Sequence, residues 1–180
     1  PGTVIAAINI GGGAYEGSDG TSWAADNTGE GNVYVRTDAV DILGTDDDPL
    51  YHSEAWGRRG LDYDFDVSDG TCKVELHFAE IWSKAKTAGK RVFDVDVEGA
   101  SVIDNLDVYA ESGSRGAAYD VVVRGVEVRD GQLDIDFSSD VNNAFLAGLV
   151  VTSAAGAGLA DDDVPDLITS WSAYADGDGL

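Results

Sequence analysis

One cysteine, no methionine and three prolines in 180 residues leave this chain little with which to cross-link or stiffen itself. The lone Cys72 excludes an internal disulfide and any CxxC pair, and its place at the head of an apolar strand marks it as a small core residue. Basic residues are scarce too: 11 lysines and arginines face 34 aspartates and glutamates, a formal charge of −23. Such a surface repels nucleic acid and anionic lipid at ordinary ionic strength, which argues against both as partners. No apolar run approaches the roughly 18 residues of a membrane span, so no membrane insertion is expected. The chain opens at Pro1 without a methionine or a signal-peptide pattern, and the expectation is a processed protein or an excerpt.

What the chain does have is acid spread along its whole length. Scattered acids with few lysines predict a protein kept soluble in concentrated salt, and hence a halophilic, haloarchaeal source. Asp46 to Asp48 and Asp161 to Asp163 read as solvated surface, because adjacent carboxylates rarely converge on one cation. Asp176-Gly-Asp178-Gly is the opening of a calcium loop without its later ligands. Asp176 and Asp178 are therefore the calcium candidates, with a solvated tail as the plainer reading, and no other cofactor is expected.

The hydrophobic fraction, 43%, supports one domain with a real core plus a tail. Val4 to Ile10 is an apolar strand running into Gly11-Gly12-Gly13, a tight turn lacking the Lys-Ser/Thr of a phosphate loop. Residues 14 to 48 read as long ordered loops with short strands, carrying Trp23 and Tyr34. From Tyr51 the pattern turns regular. Leu61, Tyr63, Phe65 and Val67 alternate with acids, as do Val74, Leu76 and Phe78 with Lys73, Glu75 and His77, and Phe93, Val95 and Val97 with Asp94, Asp96 and Glu98.

Further strands are expected at 102–108, 120–124 and 144–152, with a hairpin joining 126–128 to 133–137 through Arg129-Asp-Gly131 and a polar loop at 138–143. Many short alternating strands without a long helical period predict an all-β fold, an antiparallel β-sandwich of the jelly-roll kind, over residues 1–152. Residues 153–160 form a small-residue linker. In 161–180, Val164, Leu167, Ile168 and Trp171 lie at helical spacing behind an acidic turn and Pro165, which predicts a short amphipathic helix and an acidic tail.

No nucleophile elbow, HExxH or CxxC is present, so the chain is not expected to be an enzyme. Trp56, Trp82 and Tyr34 fall at strand-to-loop junctions, where loops of one sandwich end can gather them. Their faces suit the C–H patch of a pyranose ring, with Asp140, Asn142 or Glu54 as partners for its hydroxyls. The alternative is that Trp56 and Trp82 merely cap the core. Trp23 reads as packing, and His52 and His77 as surface or satisfied histidines without metal-ligand spacing.

Ala7-Ile-Asn-Ile-Gly-Gly12, Tyr51-His-Ser-Glu-Ala-Trp56 with Tyr63, Leu76-His-Phe-Ala-Glu80, Arg91-Val-Phe-Asp-Val95 with Glu98-Gly99, and Ala147 to Val151 occur in order and at compatible spacing. Together they make residues 4 to 152 resemble the malectin family of carbohydrate-binding domains. The resemblance implies a β-sandwich that binds glucose-containing oligosaccharides, without catalysis, across loop aromatics and a carboxylate. By position these are Trp56, Trp82, Tyr34 and Asp140, and Ser83 stands where the animal protein of the family has a second aromatic, so one wall of that pocket is missing. It also implies a lectin-like module of a secreted or cell-surface protein, extracellular in location. The competing expectation is a structural subunit of a filament or surface layer, a homo-oligomer assembled through the tail.

Overall fold

The structure is a computed structural model that describes residues 2–26, 33–58, 60–154 and 171–174. Its first strands are β1 (Thr3–Asn9), β2 (Tyr15–Glu16), β3 (Ser22–Ala25) and β4 (Tyr34–Thr37), followed by the single-turn helix α1 (Asp48–Tyr51). Next come β5 (Ser53–Gly57), β6 (Gly60–Asp66), β7 (Gly70–Ala79), β8 (Val92–Val97) and β9 (Ala100–Leu106), then the helix α2 (Val108–Ser112). The described chain closes with β10 (Ala118–Val128), β11 (Gln132–Val141), β12 (Ala144–Leu146), β13 (Gly148–Ser153) and β14 (Trp171–Tyr174).

These strands make a β-sandwich. One sheet runs β10-β7-β13-β1-β3-β2, the other β14-β6-β11-β8-β9, and a small third sheet, β12-β5-β4, carries the loops at one end. The alternation seen in the sequence sets the core: Leu61, Tyr63 and Phe65 of β6, Val74, Leu76 and Phe78 of β7, and Phe93 and Val95 of β8 are fully buried. Their polar neighbours face outward, as period-two geometry requires. Cys72 is buried in this core, and burial pushes its thiol up from the ordinary value, with Glu98 adding to the effect.

A second, smaller core gathers Trp23, Leu50, Tyr51, Ala79 and Val150, with Tyr15 packed against it. Trp23 is a packing residue there, stacked on Tyr15 with ring planes 3° apart. His52 meets the carbonyl oxygen of Val40 at 2.8 Å, whereas Nε2 of part-buried His77 has no partner among the described residues.

Several expectations need correction. The Asp130-Gly131 turn does not close a hairpin: β10 pairs with β7 in one sheet, while β11 pairs with β6 and β8 in the other. The turn crosses the sandwich beside the β6–β7 corner, held by Val67 N–H donating to the Gly131 carbonyl and Gly131 N–H to Asp69. The segments 120–124 and 126–128 are one strand, continued through an irregularity at Gly125, whose φ of 72° suits a residue without Cβ. The expected loop at 138–143 is largely strand, because β11 continues to Val141.

The last apolar run divides into β12 and β13, which lie in different sheets. Gly148 sits at the break, where a Cβ would come within 2.6 Å of Leu50 Cδ1. Val108, expected at the end of a strand, opens α2, capped by Asp107 and closed by left-handed Gly113. Most of the predicted tail helix lies outside the described residues; its last position, Trp171, opens β14, which pairs with the edge of β6.

Candidate functional site

The site is built on the short β4–β5 pair. Register sets Tyr34 opposite Trp56 and Arg36 opposite Glu54, so ring faces ring and cation faces acid on one side of the ribbon. Tyr34 and Trp56 stack with centroids 4.6 Å apart and planes 21° from parallel. On the other side of β5, Phe145 of β12 pairs with Trp56 and ties the rings to the main core. The Arg36 guanidinium lies 5.2 Å from the centroid of Trp56 and 5.2 Å from that of Trp82, joining two indoles that come from distant parts of the chain. Arg58 stands 5.6 Å from the Tyr34 ring.

Trp82 is positioned from three directions. Glu80 accepts a hydrogen bond from its backbone N–H at 2.8 Å, its carbonyl accepts from Ala85 N–H at 2.9 Å, and Arg115 holds the preceding Ile81 carbonyl through Nε at 3.0 Å and Nη2 at 2.6 Å. Asp38 in turn pairs with Arg115. Trp82 is thus presented by a fixed turn, with its side chain partly exposed.

Beneath the rings lies a buried ionic network. Arg91, 2% exposed, donates to Glu80 through Nε at 2.8 Å and Nη2 at 2.6 Å, and to Glu54 through Nη1 at 2.7 Å and Nη2 at 3.0 Å. Its guanidinium packs 3.5 Å from the Phe145 centroid, and Arg36 adds a second cation on Glu54. Burial opposes the charge of Arg91, but Glu54 and Glu80 outweigh it and hold the guanidinium above its usual range. Burial pushes the Glu80 carboxyl up, against the opposing pull of Arg91. Two acids and two arginines balance, which is the condition for keeping such charges away from water.

Of the expected residues, the structure brings together Tyr34, Trp56 and Trp82, with Ser83 exposed beside Trp82. Asp140 is exposed on β11, at the irregularity between Ser139 and Val141, and no hydrogen bond among the described residues joins it to the rings. Glu54 is not the hydroxyl acceptor expected, because it is 0% exposed and both its oxygens are taken by arginine. Asn142 and Asn143 enter β12, whose first residue, Ala144, pairs with Gly57 beside Trp56, and Asn143 Nδ2 donates to Asn142 Oδ1 at 2.9 Å.

Sequence reasoning missed Arg36, Arg58 and Arg91. The available signal was Glu80, an acid on the buried parity of β7, which demands a cation. Asp176 and Asp178 lie outside the described residues. Among those described, no group of three or more His, Cys, Asp or Glu could hold a metal, and no helix is long and apolar enough to cross a membrane.

Comparison with known proteins identifies the fold and the family. The sandwich resembles a segment of Bacteroides uniformis β-glucuronidase, with TM-score 0.72 and 22% identity over 83% of this chain and 18% of that one. In sequence, the kinesin-like protein KIN-14E of Oryza sativa subsp. japonica is 32% identical over 142 residues, and malectin-A of Xenopus laevis is 28% identical over 138. They align to 74% and 73% of this chain, which spans 12% of the first protein and 48% of the second. The malectin domain family model matches residues 4–156, and the chain belongs to the malectin family.

Proposed function

We propose that this domain is a non-catalytic, lectin-like module that binds glucose-containing oligosaccharide on the faces of Tyr34, Trp56 and Trp82, as part of a secreted or cell-surface protein. The observation that carries the reading is the open, preorganised aromatic group itself: Tyr34 is 40% exposed yet stacked on Trp56, and Trp82 is held by a fixed turn over a buried ionic base. Rings with so little freedom lose little entropy when a sugar settles on them. Asn142, Asn143 and the N–H groups of Arg36 that make no hydrogen bond among the described residues supply hydroxyl partners at the edge. The filament reading rests on the tail, which lies mostly outside the described residues.

Titration with glucose disaccharides, followed by tryptophan fluorescence, tests the proposal. Trp82→Ala and Tyr34→Ala each remove a central anchor and are expected to weaken binding by about 2 kcal/mol, roughly thirtyfold. Saturable binding that both variants leave unchanged would place the sugar elsewhere.

A further inference from the structure

The site is a local inversion of charge in an otherwise acidic molecule. Between Glu80 and Asp94 the chain contains no acid, but it carries Lys84, Lys86, Lys90 and Arg91. Both ends of this connection converge on Trp82: Glu80 bonds its N–H, and the Arg91 guanidinium lies 5.9 Å from its ring. Arg36 lies 5.2 Å from the Trp56 and Trp82 centroids and Arg58 5.6 Å from that of Tyr34, so three arginines lie against the aromatic cluster, and Lys84 follows Trp82 by two residues. Arg91 and Arg36 are neutralised by Glu54 and Glu80. Arg58 and the three lysines, all exposed, make no ion pair among the described residues. Asp107 accepts from the N–H groups of Gly89 and Ala110, and Asp38 is paired with Arg115.

This clustering runs against the rest of the surface. A charge of −23 repels an anion at long range, so a positive rim retained against that field has its effect at contact. Aromatic faces flanked by arginine match a sugar ring that bears an anionic substituent, because guanidinium forms paired, charge-assisted hydrogen bonds to planar oxyanions. We propose that the natural ligand is an anionic saccharide, a hexose unit carrying a carboxylate or a sulfate ester, with Arg58 and Lys84 or Lys86 contacting the charge while Tyr34, Trp56 and Trp82 hold the ring. This inference rests on the carbohydrate reading above.

The test uses the intact chain at about 1 M salt, where screening over roughly 3 Å removes the global repulsion. Four probes share one scaffold: a glucose disaccharide, its glucuronate analogue, the methyl ester of that analogue, and a 6-sulfated disaccharide. The expected result is that the glucuronate binds about tenfold more tightly than its uncharged ester, and that Arg58→Gln and the double variant Lys84→Gln/Lys86→Gln each weaken glucuronate binding several-fold more than ester binding. Preference for the sulfated probe alone also supports the proposal and identifies sulfate as its source.

Equal affinity for acid and ester overturns the proposal while leaving the lectin reading intact. So does a charge preference that neither variant touches. Binding of all probes that survives Tyr34→Ala removes the aromatic site itself, and the absence of any binding removes both readings.

Discussion

Two buried polar groups, one at each core, are built on opposite principles. Around Arg91 every charge is matched: both oxygens of Glu54 and both of Glu80 accept hydrogen bonds, and Phe145 covers the guanidinium. Around His77 the matching is incomplete. Tyr51 donates to Asp120 at 2.8 Å and His77 Nδ1 lies 3.0 Å from the same carboxylate, yet Tyr15 Oη, Trp23 Nε1 and His77 Nε2 have no partner among the described residues. A satisfied network fixes geometry, whereas a partly satisfied one leaves room for substitution. The rigid network lies under the candidate ligand site, and the looser one lies beneath the β2–β3 loops, where no ligand is proposed.

Removing charge from the rigid network is the strongest way to break the comparison. Arg91→Leu strands Glu54 and Glu80 in the core and is expected to lower stability by about 3–5 kcal/mol, measured by urea unfolding, with the sugar site lost as Trp82 shifts. Next, Arg36→Gln leaves Glu54 with Arg91 and should cost about 1–2 kcal/mol in the same assay while weakening disaccharide binding.

The looser cluster should respond less. Tyr51→Phe removes one hydrogen bond to Asp120 and is expected to cost about 1 kcal/mol. Smallest of all, Tyr63→Phe deletes a hydroxyl that is buried without a partner among the described residues, so stability should hold or rise by up to about 1 kcal/mol. A larger loss from Tyr63→Phe than from Tyr51→Phe would reverse the ranking.

The phenols also set a direction with pH. Burial raises the pKa of Tyr15, Tyr51 and Tyr63 above the ordinary tyrosine value, with nearby carboxylates adding to each shift. Their unfolded counterparts ionise first. Stability is therefore unaffected by these groups below the unfolded value of about 10 and falls as pH rises above it. Urea midpoints measured across that range should decline, and Tyr51→Phe should flatten the decline.

Much of the sandwich was legible because a half-buried strand writes its period directly into the sequence, as in Leu61 to Val67 and Val74 to Phe78. Partner choice left no such mark. Asp130-Gly131 announces a turn, but its chemistry does not say whether the next strand joins the same sheet or the facing one. The aromatic trio could be picked out because each ring stands near a junction of strand and loop, Tyr34 at the start of β4 and Trp56 near the end of β5. Its arginine support could not, since Glu54, Glu80 and Arg91 meet only after three separate elements have folded, and only the misplaced polarity of Glu80 hinted at the network. Asp140 was assigned from loop position, and it stands instead on β11, which continues to Val141.

The pairing of β1 with β13 sets Thr3 beside Ser153, and the Ser153 hydroxyl reaches the Thr3 carbonyl at 3.3 Å. The start of β1 and the end of β13 therefore share one spot on the surface, so segments joined before Thr3 and after Ser153 begin side by side. The same closure spans almost the whole domain, and the seam cannot form until β13 has been synthesised. Ribosome-bound intermediates should show β7 pairing with β10 before the two ends of the domain are joined.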